Sequence, residues 1–156
     1  MNKKRLILKI VIFLLIMLSL IQFIPAAKSN LDKKITDVHI ESTIEIPRET
    51  AAILNRSCYD CHSNYTNYPW YYRIQPVGWW LKRHIDAGKK HLNFSEFGLI
   101  PQHDLSEVFE EIGASVSEGW MPLGSYLWIH KNAALTEAEV NLVKDWAAKE
   151  VEKQEK

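Results

Sequence analysis

From Leu6 to Ile24 the chain is apolar, broken only by Lys9, Ser19 and Gln22, and the basic cluster Lys3, Lys4 and Arg5 precedes it. A run of 19 residues is just long enough for a helix to span a bilayer core of about 30 Å with little tilt. The segment is therefore expected to be a membrane anchor, with a cleaved export signal as the alternative and a buried core helix as a third reading. Cleavage after Ala27 would put Pro25, and cleavage after Ala26 would put Ile24, where a small residue is wanted, which favours retention. Residues 28–46 are polar and lack a helical stripe, so they are expected to be a tether reaching on the order of 60 Å if extended. Ile40, Thr43 and Ile44 suggest a short strand within it, and His39 is expected to be solvated.

Beyond residue 46 the apolar positions recur at helical spacing. Pro47, with Glu49 in the first turn and Ala51, Ala52, Ile53 and Leu54 following, opens a helix running towards Cys58. Pro76 opens a second, Val77 to Ala87, with Gly88 read as its end. Residues 89–103 read as a loop. Asp104 with Glu107 signals the start of a third helix whose apolar face is Leu105, Val108, Phe109, Ile112 and Val116, ended by Gly119. After a loop carrying Tyr126, Trp128 and His130, Thr136 and Glu139 form a capping box for a last helix presenting Val140, Val143, Trp146 and Ala147. Lys149 to Lys156 is expected to be a solvated end. The fold class is all-α: a helical domain of four to five helices over residues 47–152, after an N-terminal transmembrane segment at 1–27 and the tether at 28–46.

Between the first two helices, Tyr65, Tyr68, Trp70, Tyr71, Tyr72, Trp79 and Trp80 crowd seven aromatic rings into 16 residues. They are expected to wall a cofactor and fill the core. Net charge is zero, with 19 basic and 19 acidic residues, but Lys3, Lys4, Arg5 and Lys9 belong to the N-terminal segment. The remainder is therefore mildly acidic, which argues against nucleic acid as a partner.

The chemistry is concentrated in Cys58-Tyr59-Asp60-Cys61-His62, which holds the only two cysteines of the chain. Chance would place two cysteines three apart with a histidine next in roughly one arrangement in two thousand. C-x-x-C-H is the attachment pattern of a c-type haem: the two thiols bond the haem's vinyl groups and the adjacent imidazole coordinates iron. A thioredoxin-like redox pair would want a preceding strand and a βαβ context. A zinc site would need two further closely spaced ligands, and His84 and His91 stand too far apart. A structural disulfide is the remaining alternative.

An iron with one histidine has a second face, and its occupant decides the chemistry. Met121 is the leading candidate. It stands in a loop beside Pro122, it is the only methionine beyond the N-terminal segment, and a thioether suits low-spin haem iron. His84 and His130 are the other candidates, while His91 and His103 are expected to be solvated.

The runs C-Y-D-C-H-S-N (58–64), Y-P-W-Y (68–71), Q-P-V-G-W (75–79), L-N-F-S-E-F (92–97) and Met121-Pro122 resemble the small haem-binding-domain family of bacterial c-type cytochromes, over roughly Arg48 to Lys149. That resemblance implies one covalent haem c on Cys58 and Cys61, His62 as the proximal iron ligand, and a mostly helical fold akin to cytochrome c. Members often carry a similar N-terminal membrane segment; the resemblance names no redox partner. The expected function is single-electron transfer by a monohaem cytochrome rather than enzymatic turnover. The protein would be held at the inner membrane with its haem domain in the periplasm, or be soluble there if the leader is cleaved, and would exchange electrons with redox proteins. The alternative is a sensor or catalyst for carbon monoxide, nitric oxide or peroxide, with an open sixth position and His84 or His130 as acid or base.

Overall fold

The apolar leader forms a helix, α1 (Lys3–Ile21), and none of its residues is buried against the rest of the protein. In this computed structural model, which describes residues 3–28, 30 and 35–154, the helix begins within the basic cluster and stops before Gln22. Its uncharged stretch after Lys9 spans only 12 residues, or roughly 18 Å at 1.5 Å per residue. Among the described residues no helix is long and apolar enough to cross a membrane. The 19-residue span expected from the sequence is thus not realised as a single helix, because Phe23 and Ile24 lie beyond its end.

The later elements are α2 (Ile40–Thr43), α3 (Arg48–Ser57), α4 (Tyr59–His62), α5 (Val77–His91), α6 (Leu105–Ser117), α7 (Gly124–Leu127) and α8 (Glu137–Gln154). Short 3-10 turns occur at Trp70–Arg73, Phe94–Leu99, Gln102–Asp104 and Lys131–Ala133. No strand occurs among the described residues. The all-helical expectation holds, and the strand suggested around Ile40 is the helical turn α2.

The core is built on α6 and α8, which run antiparallel. Gln102 bonds Gln154 at one end, Phe109 meets Trp146 edge-on at 5.6 Å, and Gly113 lies against Lys144 and Ala147. Phe109, Ile112 and Val116 from one helix and Val143, Trp146 and Ala147 from the other are all buried, as the helical spacing predicts. The Thr136/Glu139 capping box forms: Thr136 N–H donates to the Glu139 carboxylate at 2.8 Å, and Glu139 N–H donates to Thr136 Oγ1 at 3.3 Å. Arg56 reaches the same carboxylate at 2.8 Å and ties α3 to α8. The helix α8 continues past Lys149 to Gln154 with Glu150 buried, so the described part of this tail is helical and only partly solvated, residues 155–156 lying outside the described residues.

His39 is buried as well, which corrects the solvated reading. It caps α2, its Nδ1 accepting from Glu41 N–H at 3.2 Å, while Ile40 enters the core and Gly98 N–H donates to Val38 O at 2.8 Å. Burial lowers the His39 pKa below 6.5, partly opposed by Glu41. A group with a depressed folded pKa is neutral in the fold and binds more protons when unfolded. Its contribution is complete above 6.5 and is lost as pH falls through the folded value. Acidification from pH 7 to about pH 5 is therefore expected to lower the unfolding free energy, measured by urea titration, by at most about 1.4 kcal/mol per pH unit from this group. His39→Asn, which keeps a capping acceptor and does not titrate, is expected to show a shallower slope. An identical slope would show that His39 does not titrate on unfolding.

Candidate haem cavity

The helix α3 ends at Ser57, Cys58 breaks the backbone at φ −120°, and α4 adds one further turn. Cys61 N–H and His62 N–H both donate to Cys58 O, at 3.1 and 3.0 Å. This folds the pentapeptide so that Cys58, Cys61 and His62 line one cavity of about 500 Å³. Leu54, Leu92, Phe94, Val108, Ile112, Val116 and Leu123 supply apolar walls, and Met121 lies in the same lining. Both thiols are free. Burial pushes Cys58 up to about 12 and Cys61 to about 11, so both are neutral thiols at physiological pH.

His62 is oriented by a run distant in sequence. Its Nδ1 lies 3.0 Å from Leu92 O; a carbonyl only accepts, so Nδ1 carries the proton and the Nε2 lone pair is left unused. Burial lowers its pKa and so favours the neutral ring, partly opposed by the hydrogen bond to the Leu92 carbonyl. Leu92 is itself held in place. Asn64 N–H donates to Ser95 Oγ at 3.0 Å, Asn64 Nδ2 to Glu96 at 2.9 Å, and Asn93 Nδ2 to Asn64 Oδ1 at 3.2 Å. The C-H-S-N and L-N-F-S-E-F runs are thus two halves of one mount for the His62 ring. Phe94 closes it, 6.2 Å from that ring.

The helix α5 does not stop at Gly88 but runs on to His91. Gly88 is there for proximity: a Cβ at this position would stand 2.7 Å from Cys61 O. After α6, Gly119 takes φ +76°. Trp120 N–H and Met121 N–H then both donate to Ser115 O, at 2.9 and 3.0 Å, which turns Met121 into the cavity lining.

Of the other candidate ligands, His84 also lines the cavity, with Nδ1 donating to Trp80 O at 2.8 Å. His130 does not. It bonds Tyr71 OH at 2.7 Å through Nε2 and stacks on Tyr126 at 4.2 Å. His91, although it adjoins the cavity and lies 3.2 Å from Glu111, is exposed as expected, and so is His103. None of the seven crowded aromatics lines the cavity, contrary to expectation, and only Tyr72 among them is fully buried. The ring that sequence reasoning missed is Tyr126. It lines the cavity and donates to Asp60 Oδ2 at 2.7 Å, so the loop bearing Met121 is latched to the residue beside Cys61.

These residues fit a haem: paired neutral thiols, an imidazole with its nitrogen lone pair unused, a thioether in the same lining, and apolar walls. A wider cleft of about 690 Å³ between Pro47 and Lys153 is lined by charged groups and contains neither cysteine nor histidine. Among the described residues no three His, Cys, Asp or Glu side chains converge as a metal site. No curated protein and no solved structure is similar enough to match. The sequence profile of the haem-binding domain family, however, matches residues 16–149, taking in both walls of the cavity and the segments that mount His62. The chain belongs to the haem-binding domain family.

Proposed function

We propose that the protein is a monohaem c-type electron carrier held at a membrane, in which Cys58 and Cys61 would attach the haem covalently and His62 and Met121 would hold its iron. The observation that carries this reading is the shared lining: one apolar cavity bounded by the C-x-x-C-H turn and by Met121, with the His62 tautomer set by Leu92 O. When bound, the haem supplies a one-electron iron centre and two vinyl groups suited to thiol addition. The protein's part is positional. Leu92 O holds the His62 proton on Nδ1, the apolar walls exclude water, and Ser115 O and the Tyr126–Asp60 bond hold the Met121 loop against the attachment turn. Two protein ligands leave no coordination site for a substrate, which suits electron exchange with redox proteins rather than turnover.

Membrane attachment rests on α1, which beyond Lys9 is apolar on every face and which buries none of its residues; such a helix needs a non-aqueous surrounding. A basic cluster ahead of an apolar run is the pattern of an exported chain, which would put the haem domain on the periplasmic side.

The test is the visible spectrum of the reduced, haem-loaded protein with and without carbon monoxide. A low-spin spectrum that the gas leaves unchanged is expected. A prompt shift would overturn the carrier reading in favour of ligand sensing or catalysis at an open site, where His84 is the polar side chain already in the lining.

A further inference from the structure

Two long stretches of the chain contain no carboxylate, residues 1–31 and residues 61–85, although the protein has 19 acidic residues. The structure joins these two stretches. Gln22 Nε2 donates to Gln75 O at 3.0 Å and Gln75 N–H donates to Gln22 Oε1 at 2.9 Å. Trp79 Nε1 donates to Ile24 O at 3.0 Å, Tyr72 OH to Ala27 O at 2.8 Å, and Asn30 Nδ2 to Thr66 O at 2.9 Å. The chain leaving α1 therefore lies bonded along the haem domain from its first residue beyond the helix, and the aromatic-rich stretch, which does not line the cavity, receives it.

Around these bonds stand Phe23, Ile24, Ile74, Val77 and Trp80, each between 41 and 83% exposed. The nearby charges are Lys28, over the Tyr68 ring at 5.1 Å, the exposed Arg73 and Arg83, and Lys82 paired with Asp86, a carboxylate close enough to act on Tyr72. An apolar patch rimmed by polar groups marks an interaction surface. Three observations point to lipid as its occupant. The patch is stitched to the end of α1, which is apolar on every face beyond Lys9. Amphipathic Trp and Tyr rings gather where headgroups meet acyl chains. The charges beside the patch, Lys28, Arg73, Arg83 and Lys82 against the single carboxylate of Asp86, are net cationic and suit an anionic lipid surface.

We infer that the haem domain lies on the bilayer surface, with Phe23, Ile24, Ile74, Val77 and Trp80 in the boundary layer between headgroups and acyl chains, rather than swinging on a free tether. This rests on the proposed membrane attachment through α1. It adds that the domain's own face is in contact with lipid and that its orientation to the membrane is fixed.

The test uses the full chain, haem-loaded and reduced, labelled with 5-fluorotryptophan and bound to vesicles of mixed zwitterionic and anionic phospholipid. Trp79→Phe and Trp80→Phe assign two of the fluorine signals, and a lipid with a nitroxide on its headgroup is then added. The Trp79 and Trp80 signals are expected to broaden several-fold more than that of Trp146, which lies between α6 and α8. An Ile74→Ser/Val77→Ser variant with an unchanged haem spectrum is expected to lose most of that difference while still floating with the vesicles. Vesicle-bound protein whose Trp79 and Trp80 signals stay as sharp as Trp146 would overturn the inference and leave attachment through α1 intact. Trp80 signals that ignore the nitroxide but shift with protein concentration would overturn it in favour of a second copy on the patch. Protein that fails to float would remove the attachment reading itself, and this inference with it.

Discussion

Met121→Ala is expected to turn a reduced, haem-loaded protein that ignores carbon monoxide into one that binds it, with an apparent affinity gain of at least about tenfold. The thioether is the one soft neutral donor in the cavity lining apart from the two attachment sulfurs, and alanine leaves neither a ligand nor the bulk to cover the iron. His84 makes the outcome informative. Its Nδ1 is occupied by Trp80 O, so its Nε2 has the same unused lone pair as that of His62. If the variant stays six-coordinate and refuses the gas, the double variant Met121→Ala/His84→Ala separates the two cases. Opening only in the double variant would mean that His84 ligates when Met121 is lost. A six-coordinate spectrum even then would sink both assignments.

Gly88→Ala is expected to destabilise the protein by about 2 kcal/mol and to lower the yield of haem-loaded protein. Two effects oppose one another. Alanine in a helix interior is worth up to about 1 kcal/mol over glycine, whereas overpacking typically costs about 1–3 kcal/mol. Here the clash is with backbone: the new Cβ would stand 2.7 Å from Cys61 O, an atom held in the attachment turn, and 3.3 Å from Cys61 Cβ. Neither is the end of a flexible side chain, so the penalty wins. Gly113→Ala in α6 is the matched control. There the Cβ would find Ala147 Cβ at an ordinary 3.5 Å, and the propensity gain should survive as a small stabilisation. Urea midpoints for the pair read the result. If Gly88→Ala proves as stabilising as Gly113→Ala, α5 does not press on the attachment turn.

Gly88 also shows what the sequence does and does not disclose. Read locally, a glycine after an apolar helical run is a stop signal; read in the fold, it is the point where a helix crosses another backbone. The difference depends on Cys61, 27 positions earlier. Features with local causes were legible: the Thr136/Glu139 cap, the buried faces of α6 and α8, and the all-helical class. That the C-x-x-C-H run forms part of a cavity was legible because its spacing is contiguous, and that Met121 joins the same lining because the domain has no other methionine. Burial of His39 was not, since it depends on Val38 O meeting Gly98 N–H. Nor was the destination of the aromatic cluster. Seven rings in 16 residues announce a contact surface, but Tyr72 and Trp79 bond the far end of the leader while Tyr71 bonds His130, and nothing in the local pattern distinguishes such partners from a cofactor.

In the notation C-x-x-C-H the two middle positions are blanks. In this protein they are occupied in the fullest sense. Tyr59 is buried and its hydroxyl donates to Glu41 at 2.8 Å, 18 residues back; Asp60 accepts from Tyr126 at 2.7 Å, 66 residues ahead. One spacer residue thus keys the entering chain and the other keys the loop that follows α6, so the attachment turn is also a registration point at which three distant segments are aligned. Exchanging these two residues for those of another C-x-x-C-H protein would keep every atom the haem requires and still leave the fold without its alignment pins.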